Sequence, residues 1–284
     1  MVRNPYYPSQ VTRYLLDPEA IDVIVFCTKN PFPMLERISL LSAFDTFWSV
    51  TITPYESEIE PHVPPKEQVI DSFQRLSALV GSRRMSWRYD PIFITNKYSV
   101  GYHIQQFRHM ADLLSGYTDQ CVVSFIDLYE KTKRNFRGIH SVTEHDQIRL
   151  INAFSKTAKE HGLQIHLCCE SENLVCENVD ADGCLSQAVL EKSLGCRLTV
   201  PKKKTARSEC SCLLGADIGA YNSCGHGCLY CYANYDKETV AKNMRLHNPL
   251  SPLLIGEVTE EDIIKPAEQK SWREGQLDFF DFLQ

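Results

Sequence analysis

Three cysteines stand in one glycine-punctuated stretch, Cys224-Gly-His-Gly-Cys228-Leu-Tyr-Cys231, with the spacing C-x3-C-x2-C. Thiolates so arranged can ligate three irons of a cubane cluster and leave the fourth iron without a protein ligand. Clusters that only carry electrons are usually closed by four cysteines. A triplet therefore implies an open position, the feature that separates catalytic from structural zinc. An open iron is a place for chemistry. A closed alternative uses His226, since Cys224, Cys228, Cys231 and His226 make up the Cys3His composition of a structural zinc knuckle. His226 sits tightly between Cys224 and Cys228 for a zinc pair, and iron is the preferred reading.

A second set is Cys169, Cys184, Cys210 and Cys212, each beside a loop signal: Cys169-Glu170, Gly183-Cys184 and Cys210-Ser-Cys212. Gathered in the fold, four thiolates would complete a second cluster or a zinc site. The competing reading is that buried free cysteines are ordinary core residues. That reading is preferred for Cys27, Cys121, Cys168, Cys176 and Cys196, which lie in apolar runs or isolated positions.

The elements that must position these groups alternate between two periods. Apolar, β-branched runs at 21–27, 47–53, 85–89, 121–126 and 163–168 read as five strands. Between them, Val69, Ile70, Phe73, Leu76 and Val80 fall on one helical stripe, as do Ile104, Phe107, Ala111 and Leu114, and then Ile148, Ile151, Phe154 and Ala158. Such alternation predicts an α/β fold of β/α units, a partial TIM-like (β/α) barrel over 1–195. A cysteine-rich metal-binding module and a tail would follow over 196–284. The tail carries Trp272 and the apolar run 277–282, which should dock back on the core.

Each strand ends in a polar or unusual group, and in a barrel of parallel strands such ends converge on one mouth. Asn30, Arg88, Asp90, Asp127 and Glu170 are the candidates to bind substrate or co-substrate, with Lys29 facing the same choice. Turns are polar in any case, and Arg88 and Asp90 can equally pair with each other. No glycine-rich dinucleotide fingerprint, Walker loop, nucleophile elbow or His-Glu-x-x-His motif occurs, so hydride transfer, nucleotide hydrolysis and the common hydrolases lack support.

The formal charge of −6 argues against a surface built for nucleic acid, although Lys202-Lys203-Lys204 with Arg207 forms one local basic patch. No apolar run approaches the roughly 18 residues of a membrane span. Without a secretory signal, twelve cysteines point to a reducing, cytoplasmic setting and to metal ligands or thiols, not disulfides.

Two blocks together carry a family resemblance. The first is the β/α series with Thr28-Lys29-Asn30-Pro31 and Trp87-Arg88-Tyr89-Asp90-Pro91. The second runs from Cys210-x-Cys212 through Asp217-Ile218-Gly219-x-Tyr221 to Cys224-x-His226-Gly227-Cys228-x-Tyr230-Cys231-Tyr232-Ala233. The sequence resembles the domain-of-unknown-function 1848 family, whose C-terminal cysteines are similar to the cluster loop of radical S-adenosylmethionine (SAM) enzymes. The resemblance implies a [4Fe-4S] cluster on Cys224, Cys228 and Cys231, SAM as co-substrate, an electron donor, and Tyr230 at the aromatic position before the third cysteine. It also implies that the loop, placed near the C-terminus instead of after a first strand, folds back over the mouth. No Gly-Gly-Glu-type stretch for the amino group of SAM accompanies it. Against the family pattern the chain looks shorter by one strand and helix, which would leave the strand at 21–27 as an unpaired sheet edge.

Overall fold

The computed structural model describes residues 1–201, 210, 212–213 and 215–274. Lys202-Lys203-Lys204, Arg207 and the 277–282 run lie outside them. The chain opens with β1 (Val2–Arg3) and β2 (Gln10–Arg13). It continues through β3 (Ile24–Thr28), α1 (Phe32–Leu35), β4 (Thr46–Thr51), α2 (Lys66–Val80), β5 (Met85–Ile92) and α3 (Val100–Leu114). Next come β6 (Gln120–Phe125), α4 (Glu130–Asn135), α5 (Glu144–Glu160), β7 (Gln164–Leu167) and β8 (Val179–Asp180). The last elements are α6 (Gln187–Leu194), α7 (Lys237–Arg245) and β9 (Ile263–Pro266).

Strands β3 to β8 form one six-stranded sheet in sequential order, every neighbouring pair parallel. Side chains alternate across it. Trp48, Val50, Trp87, Tyr89, Cys121 and Val123 face α2, α3 and α5 in the main core. Phe47 and Val122 face the other way, Phe47 toward α6 and Val122 toward a patch of cysteines. A parallel strand covered on both sides is apolar throughout, and β6 is buried at every residue.

The three helical stripes become α2, α3 and α5, with Phe73, Leu76, Phe107 and Phe154 buried at their centres. Ser99 and Thr143 cap α3 and α5 by accepting from the N–H groups of Tyr102 and Asp146, both at 3.2 Å. Ile148 departs from its stripe and is 40% exposed.

The strand expected over 21–27 runs from Ile24 to Thr28 instead, because Asp22 is taken by the returning tail: its carboxylate accepts from Ser271 Oγ at 2.6 Å and from the Trp272 N–H at 2.8 Å. β3 is an edge of the sheet, as expected. Trp272 docks against Phe47, Val189, Leu190 and Leu198. Two features escape periodicity. β9 pairs in parallel with β2, joining stretches about as far apart as the chain allows into a small sheet with β1, and β8 has only two residues. Among the described residues no helix is long and apolar enough to cross a membrane.

Candidate functional site

The stretch carrying the cysteine triplet is a closed loop. Asn222, held at φ 56°, donates its N–H to the Ala233 carbonyl at 3.1 Å, and its Oδ1 accepts from the Tyr235 N–H. Asparagine enters the left-handed region more readily than most side chains. Asn234 Nδ2 donates to the Cys224 carbonyl at 2.8 Å, and Asn243 of α7 donates to the Asn222 carbonyl at 3.1 Å. Inside the loop Gly227 has φ +70°, which glycine adopts without steric cost. At Gly225 the need is space, since a Cβ there would lie 3.2 Å from Met244 Sδ.

This loop folds back onto the carboxyl ends of the strands. The Leu229 N–H donates to the Ile59 carbonyl at 3.0 Å, and the His62 N–H to the His226 carbonyl at 3.1 Å. Tyr230 is buried among Tyr55, Ile59, Phe93, Tyr98, Ile126 and Ile139. Its hydroxyl donates to Glu60 Oε1, and Lys29 Nζ lies 5.5 Å from its ring centre.

Glu60 is the hub. It is 2% exposed, and accepts from Lys29 Nζ at 2.9 Å, from Thr53 Oγ1 at 2.5 Å and from Lys66 Nζ. A buried carboxylate is tolerated when its lone pairs are so satisfied. Burial acts to raise its pKa, but Lys29 and Lys66 outweigh that and hold it at about 2. Lys66 gives part of this back, because burial pushes its own pKa down further than Glu60 lifts it. Next to the hub, burial pushes the Cys228 thiol up to about 11, with Lys29 opposing. A metal binding there must displace that proton.

The candidate residues at the strand ends are engaged mostly with the protein itself. Arg88 Nη2 and Nε meet Asp90 Oδ2 at 2.5 and 3.2 Å, and the Ser124 hydroxyl donates to Asp90 Oδ1. The pair is set where the β5–β6 register shifts between Tyr89 and Ile92, a bulge that re-aims side chains. Burial opposes the Arg88 charge, but Asp90 and the nearby sulfurs of Cys184 and Cys168 outweigh it and hold its pKa well above the ordinary value. Asn30 stays in its own turn: its N–H donates to Thr28 Oγ1 at 3.0 Å and its Oδ1 accepts from the Phe32 N–H at 3.3 Å. Glu170 Oε1 accepts from the Phe125 N–H at 2.7 Å at the tip of β6. Asp127 accepts from Tyr129 OH at 3.0 Å.

The second cysteine set is gathered in part, with one exchange. Cys184 Sγ lies 3.5 Å from Cys212 Sγ and 3.8 Å from Cys168 Sγ, and Cys210 packs on the same patch. Cys168, read from sequence as core, thus joins this set. It follows the alternation of β7 and shares the inner face with His166, the register partner of Val122, whereas Cys169 has turned out of the strand at φ 57°. Thiol hydrogen bonds from Cys168 and Cys212, with Arg88 nearby, pull the Cys184 pKa down. Cys27 is also not core: it is exposed at the edge strand. Cys121 is buried, and Cys176 and Cys196 pack on apolar clusters as expected. Among the described residues no three His, Cys, Asp or Glu side chains already enclose a common point.

The family comparison runs over residues 1–233, from β1 through the third cysteine of the loop. The chain belongs to DUF1848, a domain of unknown function. The DUF1848 match thus takes in both the parallel sheet and the docked loop, and stops short of α7. No curated protein and no solved structure matches the chain.

Sequence reasoning on this DUF1848 chain missed Glu60, Lys66 and Thr53. Glu60 sits in the acidic stretch Glu56-Ser-Glu58-Ile-Glu60, which carries the pattern of a solvated turn. Nothing local marks its last carboxylate as buried.

Proposed function

We propose that this chain is a radical-SAM-like iron–sulfur protein built on an arc of a (β/α) barrel, with Cys224, Cys228 and Cys231 as the ligands of a [4Fe-4S] cluster. The observation that carries the reading is the docking of the cysteine loop on the strand tips through Tyr230 and Glu60. The sequential, all-parallel strand order is the order of a barrel arc. The donor set suits a cluster: three thiols on one glycine loop, with no carboxylate between Cys224 and Cys231.

Cys224, Cys228 and Cys231 would hold such a cubane with one iron free of protein ligands, and the chemistry it would supply is the reductive cleavage of SAM that radical SAM enzymes use. The chain's own residues do the rest. Tyr230 and Glu60 fix the loop's height above the sheet, and Tyr55, Phe93 and Tyr98 exclude water beneath it. Lys29 and Lys66 bring two positive charges against the single carboxylate of Glu60, and Lys29 offsets part of the burial that holds the proton on Cys228. A substrate at the strand tips, an electron donor and a reducing, cytoplasmic setting complete the proposal.

Anaerobic reconstitution of the full chain, with iron and sulfide counts and a search for 5′-deoxyadenosine, tests it. Iron, sulfide and SAM cleavage together support the reading; a cluster that never cleaves SAM removes the enzymatic half. A second reading rests on the Cys224 Sγ to His226 Nδ1 contact at 3.4 Å, which fits a Cys3His zinc knuckle stapling the loop. A colourless protein whose zinc disappears with the triplet would favour it.

A further inference from the structure

We propose that Cys168, Cys184, Cys210 and Cys212 form a separate mononuclear metal centre of the zinc–thiolate class on the inner face of the sheet. This goes beyond the triplet reading and does not depend on it.

The four cysteines come from three stretches: the end of β7, the loop after β8, and the segment leading to the triplet. They meet in a patch with Val122 and Leu185. The distances speak to nuclearity. A disulfide needs about 2.05 Å, so contacts of 3.5 and 3.8 Å are unbonded sulfurs. Tetrahedral geometry with a Zn–S bond of about 2.3 Å puts neighbouring sulfurs about 3.8 Å apart. In a cubane the ligands sit on different irons and stand further apart. Two edges of a mononuclear site are therefore formed around Cys184. The proposal requires Cys168, Cys210 and Cys212 to turn about their Cα–Cβ bonds to complete the set.

Polar groups border the sulfurs. The Leu185 N–H donates to Cys212 Sγ at 3.4 Å, and the positive charge of Arg88 acts on Cys184 and Cys168. Outer donors of this kind orient and stabilise metal-bound sulfur. Four thiolates around a divalent ion carry a net double negative charge, and Arg88, with a side chain only 17% exposed, lies where that charge would develop. Simple core packing of cysteine as a small apolar residue does not account for the Leu185 donor. The centre would fasten Cys210 and Cys212 to the sheet, where the neighbouring Leu213 N–H already donates to the Leu185 carbonyl at 2.8 Å.

The test uses the full chain with Cys224, Cys228 and Cys231 all replaced by Ala, so that any triplet metal is gone. We expect this variant to retain about one zinc per chain without sulfide and to give a tetrahedral thiolate spectrum with cobalt(II). Adding Cys184→Ala should abolish both, while adding Cys176→Ala should leave them. Where Cys184→Ala does not fold, Cys212→Ser serves, with the cobalt spectrum losing its thiolate intensity. The proposal is overturned by a triplet variant that binds neither zinc nor cobalt, by iron and sulfide in equal amounts in that variant, by unchanged metal content in folded Cys184→Ala, or by a Cys184–Cys212 disulfide as the sole product. Failure of the triplet reading shows instead in the wild-type iron count, so the two outcomes are distinguishable.

Discussion

The cysteine triplet and the inner-face thiol patch use one residue type and are held in opposite ways. The triplet is contiguous in sequence, and its loop is placed by groups that are not cysteines: Tyr230 on Glu60, with Lys29, Lys66 and Thr53 around the carboxylate. The patch is assembled from distant stretches, and its sulfurs touch one another. Short-range spacing thus brings the cysteines together in the first region, and long-range packing brings them together in the second. The lesson is that a motif can be complete in sequence while its placement rests on one buried carboxylate elsewhere.

The largest way to break this contrast is Glu60→Ala. It leaves Lys29 and Lys66 partly buried without their counter-charge, so the chain should lose about 3–5 kcal/mol in urea unfolding. Thiol labelling should rise at Cys224, Cys228 and Cys231 and stay unchanged at Cys184; equal labelling of both regions would show that they are not separately held.

Acid makes the same cut reversibly. The Glu60 carboxyl sits at about 2 in the folded chain against an ordinary 4.5. Its contribution is therefore complete above pH 4.5 and is lost as pH falls toward 2. It amounts to at most about 3 kcal/mol, less the part offset by Lys66. A stability–pH profile should slope down through this window in the wild type and flatten in Glu60→Gln.

Tyr230→Phe removes one hydrogen bond to a charged acceptor while keeping the ring. A loss of about 2 kcal/mol in denaturant unfolding is expected, with the triplet alone becoming more reactive. Gly227→Ala is the mildest change, about 1 kcal/mol for a Cβ at positive φ. Its effect should appear in triplet metal retention and not in the cobalt spectrum of the patch.

Much of the frame was legible in the residues. The five strands and three long helices follow from apolar residues at periods of two and 3.6, which depend only on near neighbours. The return of the cysteine loop over the strand ends was implied by the family resemblance, and the structure shows it. The Arg88–Asp90 pair was one of two readings, and the structure shows the two residues paired, with Ser124 as a third partner. The hub was not legible: Glu60 and Tyr230 are 170 positions apart, and an acidic turn looks the same in sequence whether it faces water or two lysines. The place of Cys168 at the patch was not legible either: it follows the alternation of β7, while Cys169 takes a positive φ at the strand's end.

By itself the sequence determined the period of each element, the spacing of the three cysteines and the surplus of thiols, because these are local properties of the chain. Only the tertiary structure decided that β9 returns to β2, that Glu60 is buried beneath Tyr230, and that Cys184 has two sulfur neighbours. Those outcomes depend on which distant surfaces exclude water together, and no neighbouring residue encodes that.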